Sequence, residues 1–570
     1  MLRTRLAGLA HFPRGQVSLP PAHSPARLRF RPHNDLVFWR RRALVLALPA
    51  VVVIGATTVL PAALRALRSG VTLEVVGAGG PLRQGAVVNG DGLAAMRFRA
   101  AGSPAGRSEG VDVAMDGRRF PVPGGVPALP WGVPAGLVDG RHSVTVSRAR
   151  PLLLPAARRS FTFILDTAAP RLSVSPSATR AGIRDAVTFT GTVEPGAQVT
   201  AGGGPVPVNA GTFEMRYEAP PAGPLRFAAT DAAGNSTVAE IAVAVALPPT
   251  RAVHVSGFAW ATRSLREPIL ALIDRGLIDA VQLDLKEEDG YIGYRSELAY
   301  PRSIGAVRGT YDLRAAAAEL HKRNVRVIGR LVAFRDPVLA GAEWQSGRRE
   351  RVVQTPDGQP YAGYGGFTNF ANPDVQRYNI DIAEEAAAMG VDDVLYDYVR
   401  RPDGAIGTMR FPGLEGSPED AIAGFLGATR SVLRPLHTYV GASVFGIAAT
   451  RPTEIAQDIA KIAANADYIA PMVYPSHWNK GEYGVADPNR SPYEIVLRSL
   501  RDFQRQVAGT EVRLVPWLQD FALGVPYGVN EVRAQIQAAK DAGISDWILW
   551  DPAVTYTDGA LPAPAVPPPG

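Results

Sequence analysis

The sequence predicts a multidomain protein, with a (β/α)8 TIM barrel in the C-terminal half, all-β sandwich modules in the middle and one N-terminal transmembrane helix. Strand-like and helix-like segments alternate eight times after residue 252, which is the periodicity of such a barrel. Between residues 71 and 245, apolar and polar residues alternate as in half-buried strands. Residues 43–64 form an uncharged apolar run. A chain of 570 residues has room for all of these parts.

The N-terminal segment, residues 1–42, carries nine arginines and a single acid, Asp35, and so has a net charge of +8. The remaining residues sum to −1, so the overall charge of +7 belongs to a tail and not to a basic face of a folded domain. This distribution gives no support to a nucleic-acid partner. We interpret the segment as a basic cytoplasmic tail.

The apolar run at 43–64 has 22 residues without a charge, enough to cross about 30 Å of hydrocarbon. Because arginines precede it, the positive-inside rule places the bulk of the chain outside the cytoplasm, and we predict a single-pass signal anchor in the cell membrane. A cleaved signal peptide and a buried soluble helix are the alternatives. The absence of cysteine fits export, and it excludes disulfides, thiolate metal sites and a cysteine nucleophile.

Two modules are predicted in the middle, at 70–167 and 168–247, from strand-length segments separated by Gly, Pro and Asp. Asp166-Thr-Ala-Ala-Pro170 and Ala229-Thr-Asp-Ala-Ala-Gly-Asn235 resemble the hinge and the turn of bacterial immunoglobulin-like domains. The resemblance implies immunoglobulin-like sandwiches that serve as spacers or adhesive arms. It is weaker for the first module than for the second.

The barrel is predicted at 252–555, followed by a disordered Pro-rich tail at 559–570. Its eight predicted strands are 253–260, 280–286, 325–334, 394–400, 439–446, 468–474, 512–520 and 547–551. Amphipathic segments lie between them, and Pro418, Pro452 and Pro492 stand where a first helical turn accepts proline. An open doubly wound sheet is the alternative, but no Gly-rich phosphate loop follows the first strand.

Barrel enzymes place catalytic residues at the C-terminal ends of their strands, and Asp397 ends an apolar run in the fourth predicted strand. We predict Asp397 as nucleophile or base, with Arg400 keeping it ionised. A general acid needs partial burial and a raised pKa. The candidates for it are Asp284, Glu288, Asp520 and Asp551. Lys286 argues against a protonated Asp284, and we favour Asp520.

Substrate-binding roles are predicted for aromatic residues, which stack on sugar rings, and for polar residues, which bind hydroxyls. The predicted set is Trp260, Asp284, Lys286, Arg330, Tyr398, Arg400, Tyr474, His477, Trp478, Trp517, Gln519, Trp550 and Asp551. The alternative for Asp284 and Arg330 is a structural ion pair, and for Asp551 it is a turn. His477 could instead lie on the rim, and Trp517 and Trp550 could face the core.

Six segments of the barrel resemble a bacterial family of glycoside-hydrolase barrels that is distantly similar to the alpha-amylase clan. They begin at Gly257, Asp284, Arg330, Asp397, Ala470 and Pro516 and read GFAW, DLKEEDG, RLVAFRD, DYVRRP, APMVYPSHW and PWLQDF. The resemblance implies glycosidase-like activity on a polysaccharide. In that clan the nucleophile is an Asp that ends strand four, which Asp397 matches, and the acid is a Glu that ends strand five. Here strand five, 440–446, contains no carboxylate, and Asp520 could match the clan's third carboxylate.

These observations favour a membrane-anchored, extracytoplasmic glycoside hydrolase that acts on a cell-envelope or extracellular polysaccharide by carboxylate acid/base catalysis. A non-catalytic carbohydrate-binding or wall-scaffolding barrel is the alternative, and a glycan-modifying transferase is a third reading. Metal catalysis is not favoured, since the eight histidines show no paired spacing. Ser-His-Asp catalysis is not favoured either, since no Gly-x-Ser-x-Gly elbow is present. No cofactor is expected. A partner carboxyl about 5–5.5 Å from Asp397 would predict retention, and one about 6.5–9.5 Å away inversion.

Overall fold

The computed structural model of the protein describes residues 71–101, 111–120, 136–148 and 155–563. The chain divides into two compact units, residues 1–166 and 167–570. The predicted basic tail at 1–42, the predicted transmembrane segment at 43–64 and residues 564–570 of the predicted tail lie outside the described residues. Within the described ranges, no helix is both long enough and apolar enough to span a membrane.

The first unit contains, in its described part, two sheets and one short helix. Its elements are β1 (Thr72–Gly77), β2 (Gly80–Pro81), β3 (Ala86–Val88), α1 (Gly90–Ala95), β4 (Arg97–Ala101), β5 (Val111–Met115), β6 (Arg118–Phe120), β7 (Gly140–Arg148) and β8 (Ala157–Leu165). One sheet has the order β2–β1–β4 and the other β3–β8–β7–β5–β6. Val75, Phe98, Val144 and Phe163 are among the residues buried in its core.

The second unit begins with three small sheets. Their strands are β9 (Leu172–Pro176), β10 (Arg180–Gly182), β11 (Val187–Val193), β12 (Gln198–Ala201), β13 (Gly204–Val206), β14 (Thr212–Tyr217), β15 (Leu225–Thr230), β16 (Ser236–Ile241) and β17 (Ala244–Ala246). The sheets have the orders β14–β11–β9, β13–β12–β15–β16 and β10–β17. Phe189, Phe213 and Phe227 pack together in the core of this β region.

The prediction of immunoglobulin-like sandwiches in the middle of the chain was wrong. In the first unit, β3 pairs with β8 in parallel and helix α1 follows β3, so the unit is not an all-β antiparallel sandwich. In the β region of the second unit, the strands divide among three sheets instead of two. Apolar–polar alternation predicts where strands are and which face is buried. It does not predict which strands pair, because pairing also depends on turns and on long-range packing.

The rest of the second unit is a closed barrel of eight parallel strands, as the strand–helix alternation predicts. Its strands, including the accessory strands β20, β21 and β26, are β18 (Arg251–Val255), β19 (Ala280–Lys286), β20 (Ile292–Tyr294), β21 (Val307–Tyr311), β22 (Arg326–Val332), β23 (Asp393–Asp397), β24 (Tyr439–Phe445), β25 (Tyr468–Met472), β26 (Arg513–Leu514), β27 (Trp517–Gln519) and β28 (Trp547–Trp550). β18 pairs in parallel with both β19 and β28, which closes the ring.

Helices surround the barrel and cover its strands. They are α2 (Gly257–Ala261), α3 (Arg263–Asp274), α4 (Ala299–Ser303), α5 (Leu313–His321), α6 (Pro337–Gln345), α7 (Pro373–Ala388), α8 (Pro418–Leu433), α9 (Ile459–Asn465), α10 (Pro492–Gln506) and α11 (Val529–Asp541). Pro418 and Pro492 do begin helices, as expected. The first predicted strand, 253–260, is too long. The observed strand β18 ends at Val255, and Trp260 lies on helix α2.

Residues 244–250, which end the β region, lie across the N-terminal end of the barrel. Arg513 donates from Nη1 to the carbonyl of Leu247 at 2.5 Å, and the hydroxyl of Tyr439 donates to the carbonyl of Ala246 at 2.9 Å. Leu247 is buried in the same apolar cluster as Ile328 and Ile548 of the barrel interior. This end of the barrel is therefore covered, and the C-terminal end is the one that remains open.

Candidate active site

At the C-terminal end of the barrel, one buried guanidinium joins three carboxylates. Arg330, on β22, donates from Nε and Nη2 to Oδ2 of Asp397 at 3.0 and 2.6 Å, and from Nη1 to Oδ1 of Asp284 at 2.9 Å. Its Nη2 also contacts Oε1 of Glu288. Asp284, Arg330 and Asp397 come from three neighbouring strands, and closure of the barrel brings them to one point. We call these four side chains the Arg330 cluster.

The charges of the Arg330 cluster stabilise one another. Burial raises the pKa of Asp284, but its contacts with His254 and Arg330 outweigh burial, so the net pKa is lowered. Burial likewise raises the pKa of Glu288, and the charge of Arg330 outweighs it. The three carboxylates hold the pKa of Arg330 well above its ordinary value despite its burial. Asp284, Glu288 and Arg330 are therefore charged near neutral pH.

Aromatic rings form the floor beside the cluster. His254 on β18 lies with Nε2 at 2.9 Å from Oδ2 of Asp284, and its ring stacks on Trp550 with centroids 3.7 Å apart. Trp550 in turn stacks on Trp517 at 5.0 Å, and the guanidinium of Arg330 lies 4.9 Å from the Trp550 ring. Contacts of this kind favour a cation held over a ring face.

A cavity of about 1030 Å³ opens over the Arg330 cluster and has the size of a ligand site. Nine of the residues predicted for the site line it, including Glu288 from the candidate acids: Glu288, Arg330, Asp397, Tyr398, Tyr474, His477, Trp478, Trp517 and Trp550. Trp517 and Trp550 thus belong both to the barrel interior and to the cavity wall. His477 is exposed, which agrees with a rim position. Its ring packs beside Tyr474 and Phe521, and this partial loss of solvent lowers the pKa of His477.

The backbone turns sharply directly after Asp397. Tyr398 has a φ of 46°, which is unusual for a residue other than glycine. Its N–H donates to Oδ1 of Asp397 at 2.7 Å, and its hydroxyl accepts from Nη1 of Arg335 at 2.8 Å. A strained residue that is held in place by such contacts is typical of functional sites. The strain here fixes the orientation of the Asp397 carboxylate.

Lys286 was predicted to bind substrate, but the structure places it outside the cavity. A β-bulge between Asp284 and Lys286 shifts the register of β19, so the usual alternation of sides is broken. The ammonium of Lys286 is fully buried and donates to Asp336 and to Asn379, both at 2.8 Å. It is part of a core ion pair between β19 and the surrounding helices.

Arg400 was predicted to keep Asp397 ionised, and Arg330 holds that position instead. Because the chain turns at Tyr398, Arg400 points away from Asp397 and packs against Phe445, with its guanidinium carbon 4.3 Å from the ring centroid. It donates to the carbonyl of Arg401 at 2.8 Å. Arg400 is buried and lies behind the cavity wall.

Asp520, which we favoured as the acid, lies outside the cavity lining. Its carboxylate accepts from the N–H of Thr557 at 2.8 Å and from its hydroxyl at 2.6 Å. Burial raises the pKa of Asp520 to about 6. A general acid is expected to have such a raised pKa. It is also expected to face the substrate cavity, whereas Asp520 faces the 551–557 loop.

The remaining predicted residues are also outside the lining. Asp551 accepts from the N–H groups of Ala553 and Thr555 at 3.1 and 3.0 Å, as in the turn that was the alternative. Gln519 accepts from the N–H of Ser476 at 3.1 Å and so supports the loop that carries His477. Trp260 is buried beneath Arg266 on the helix side.

Two residues of interest were missed from the sequence. His254 contacts Asp284. The sequence feature that could have indicated this contact is the position of His254 in the first barrel strand, where it pairs with Gln282 of the second strand. Burial raises the pKa of Glu287 to about 7, with help from the charges of Asp284 and Asp289. Glu287 does not line the cavity, and no motif in the sequence separates it from Glu288.

The barrel matches a family model. The model, described as "Putative glycosyl hydrolase domain", covers residues 252–556, which is more than half of the chain. The chain belongs to this family. The prediction of a glycoside hydrolase is confirmed by this membership. A comparison with curated proteins finds no match.

Solved structures of similar proteins are found as well. A hypothetical protein from Ruminiclostridium thermocellum is 30% identical, over 33% of this chain and 96% of its own, with a TM-score of 0.30. The glycoside hydrolase domain of PgaB (BpsB) from Bordetella bronchiseptica is 16% identical, over 54% of this chain and 95% of its own, with a TM-score of 0.41. Catalytic domain 2 of a Group II chitinase from Ostrinia furnacalis is 10% identical, over 55% and 94%, with a TM-score of 0.34.

Proposed function

We propose that the barrel hydrolyses glycosidic bonds of a cell-envelope or extracellular polysaccharide, with Asp397 as nucleophile or base. The observation that supports this most is the Arg330 cluster, in which two hydrogen bonds from Arg330 and one from the N–H of Tyr398 orient Asp397 at the open end of the barrel. Aromatic residues suited to sugar rings line the same cavity. The position of Asp397 also agrees with the resemblance to the alpha-amylase clan.

Glu288 is the best partner for Asp397. The two carboxylates contact the same nitrogen, Nη2 of Arg330. Because a hydrogen-bonded N···O distance is about 3 Å, two oxygens on one nitrogen lie within about 6 Å of each other. Retaining enzymes have their carboxyls about 5–5.5 Å apart and inverting enzymes about 6.5–9.5 Å. The pair therefore favours a retaining mechanism, with Glu288 replacing Asp520 as the proposed proton donor. Because Arg330 lowers the pKa of Glu288, this role requires acidic conditions or a bound substrate that displaces the Arg330 contact.

The location outside the cytoplasm is part of the proposal. It is supported by the uncharged apolar run at 43–64 behind a segment with nine arginines, and by the absence of cysteine. Protease treatment of intact cells checks it: digestion of the barrel from outside is expected, and full protection would contradict the location.

Hydrolysis is tested by incubating the full chain with purified bacterial surface glycans and measuring new reducing ends. We expect Asp397→Asn to lower the rate by about 1,000-fold or more, because the variant loses its nucleophile or base. Asp357→Asn, on an exposed loop, is the matched control and should retain the wild-type rate. Equal turnover by Asp397→Asn would contradict the role of Asp397.

A carbohydrate-binding protein without catalysis is the second candidate. One observation favours it: the carboxyls with raised pKa, Glu287, Asp393 and Asp520, lie outside the cavity lining, and the pKa of Glu288 is lowered. Such a protein would bind a glycan without releasing reducing ends at any pH. Binding with no turnover down to pH 4 would favour this candidate over the hydrolase.

A further inference from the structure

Two hydrogen-bond donors in the cavity wall have no partner in the protein. They are the hydroxyl of Tyr474, two residues beyond β25, and Nε1 of Trp517, the first residue of β27. Both side chains line the cavity and are more than nine-tenths buried, yet neither polar atom makes a hydrogen bond to any described residue. Buried donors without a partner are costly, which indicates that a bound molecule completes their hydrogen bonding.

Both groups are donors near neutral pH. An indole N–H can only donate, so Trp517 requires an acceptor. Burial raises the pKa of Tyr474 well above its ordinary value, and the negative charge of Asp397 adds to the shift, so the hydroxyl keeps its proton. The partner that suits each group is therefore an accepting oxygen and not a cation.

The Arg330 cluster adjoins both donors and disfavours an anion there. The guanidinium carbon of Arg330 lies 5.8 Å from the centroid of the Trp517 ring. Asp397 is close enough to Tyr474 to act on its pKa. The cluster contains three carboxylates, which outnumber the cations even when His254 is protonated, and all four hydrogen bonds from Arg330 go to these carboxylates. An acidic sugar is thus repelled, and the acceptor that fits is neutral.

The wall around the two donors is apolar. Tyr474 and Trp517 belong to one buried apolar cluster, and Met472, Phe521 and Trp550 pack against it. A sugar hydroxyl can accept a hydrogen bond, but it also brings a proton to donate and no apolar group. An N-acyl group brings a carbonyl oxygen that only accepts and, next to it, a methyl group whose burial against an apolar wall is favourable.

We propose that the substrate carries an N-acylated amino sugar at the reacting position, and that Tyr474 donates to the carbonyl oxygen of its acyl group. Trp517 donates to an oxygen of the same sugar unit. The methyl group packs against the apolar wall, and the amide N–H can donate to a carboxylate of the same cavity. The inference rests on the proposed function for the site and names the class of its substrate.

Binding by the Asp397→Asn variant of the full chain tests the inference without turnover. The probes are β-1,4-linked hexamers of N-acetylglucosamine, of glucose and of glucuronic acid, compared by calorimetry. They offer the site an amide carbonyl, a hydroxyl and a carboxylate as the acceptor. We expect the N-acetylated hexamer to bind about 10-fold tighter than either of the others, because it satisfies a buried donor and buries methyl groups. Equal or weaker binding of the N-acetylated hexamer overturns the inference, and so does the absence of binding by it.

Tyr474→Phe, made in the same background, removes the hydroxyl and little else. We expect it to weaken binding of the N-acetylated hexamer by about threefold to 10-fold and to leave binding of the glucose hexamer within about twofold. Tyr493→Phe is the matched control, since the Tyr493 hydroxyl donates to Asp541 and does not line the cavity. An N-acetyl preference that Tyr474→Phe leaves unchanged, or that the control reduces equally, overturns the assignment to Tyr474.

Urea unfolding separates a ligand-binding role of Tyr474 from a structural one. Loss of a buried hydroxyl that has no partner removes no hydrogen bond, so Tyr474→Phe should unfold at the same urea concentration as its parent or at a higher one. A lower midpoint would show that the hydroxyl has a structural partner, and would overturn the inference.

The outcomes for this inference and for the proposed function are distinguishable. If the N-acetyl preference appears but the wild type releases no reducing ends from any glycan, hydrolysis fails and this inference stands. If the wild type hydrolyses a glycan without N-acyl groups and the N-acetylated hexamer does not bind, the proposed function stands and this inference fails.

Discussion

The two ends of the barrel use the same residue types in opposite ways. At the N-terminal end two arginines each have an aspartate partner: the buried Arg434 contacts Asp467 at 2.5 Å, and the half-buried Arg513 contacts Asp546. Residues 244–250 cover that end. At the C-terminal end one arginine serves three carboxylates under an open cavity.

The difference separates structural charge from functional charge. Charge-balanced pairs at the covered end leave no net charge for a ligand. An unbalanced cluster keeps excess negative charge buried at a free-energy cost, which a protein retains where the charge is used. The stability of the barrel should therefore depend on both ends and its activity on only one.

Arg330→Gln tests this difference with the largest expected effect. The change leaves Asp284 and Asp397 buried without their cation, so we expect a loss of about 3–5 kcal/mol in the free energy of unfolding. We also expect kcat/KM to fall by about 100-fold or more, because Asp397 loses its orientation. Urea unfolding and reducing-end release measure the two effects.

Arg513→Gln at the covered end is the matched control. It should also lower the free energy of unfolding, because Asp546 loses its partner. The folded variant should keep kcat/KM within about twofold of the wild type, since Arg513 lies far from the cavity lining. A folded Arg330→Gln protein with wild-type kcat/KM would show that the cluster is structural at both ends.

Glu288→Gln sharpens the comparison within the open end. Arg330 lowers the pKa of Glu288, so the protonated form that an acid requires becomes more populated as the pH falls. We expect wild-type kcat to rise on acidification from pH 7, and the variant to lose about 100-fold in rate together with that dependence. The pH–rate profile decides the point. A profile that is unchanged in the variant would assign the acid elsewhere.

Asp393→Asn tests the covered end through stability alone. Burial raises the pKa of Asp393 to about 7, although Arg326 opposes the shift. The folded state therefore holds a proton that the unfolded state releases above about pH 4, so this contribution to stability is present at low pH and is lost as the pH rises toward 7. We expect the variant to gain about 1–3 kcal/mol relative to the wild type between pH 5 and pH 8. Urea unfolding at the two pH values measures it, and a constant difference would contradict the assigned pKa.

The barrel and the place of Asp397 could be predicted because both follow from local patterns. Eight apolar strands separated by amphipathic helices have few other ways to bury both faces of a parallel sheet. Asp397 and Arg330 stand at inward positions near strand ends, and a regular strand alternation suffices to place them. The sheets of the middle region could not be predicted, because strand partners are chosen over long sequence distances.

The partners within the site depended on local irregularities that a periodic pattern does not contain. The β-bulge after Asp284 directs Lys286 to Asp336 and Asn379. The positive φ of Tyr398 turns Arg400 away from Asp397. Lys286 and Arg400 are thus close in sequence to Asp284 and Asp397 but do not contact their carboxylates. Arg330, which is more remote in sequence, contacts both.

Asp520→Asn has the smallest expected effect and decides between the sequence-based and the structure-based choice of acid. Burial raises the pKa of Asp520 to about 6, yet its carboxylate is occupied by Thr557 and does not line the cavity. We expect kcat/KM to stay within about twofold of the wild type, whereas Glu288→Gln removes most of it. The single oxygen of asparagine can accept from the N–H of Thr557 while its amide donates to the Thr557 hydroxyl oxygen, without the cost of a buried charge, so stability at pH 8 should be kept or raised. A folded Asp520→Asn variant without turnover would return the acid role to Asp520, and with it the active centre would extend from the Arg330 cluster to the 551–557 loop.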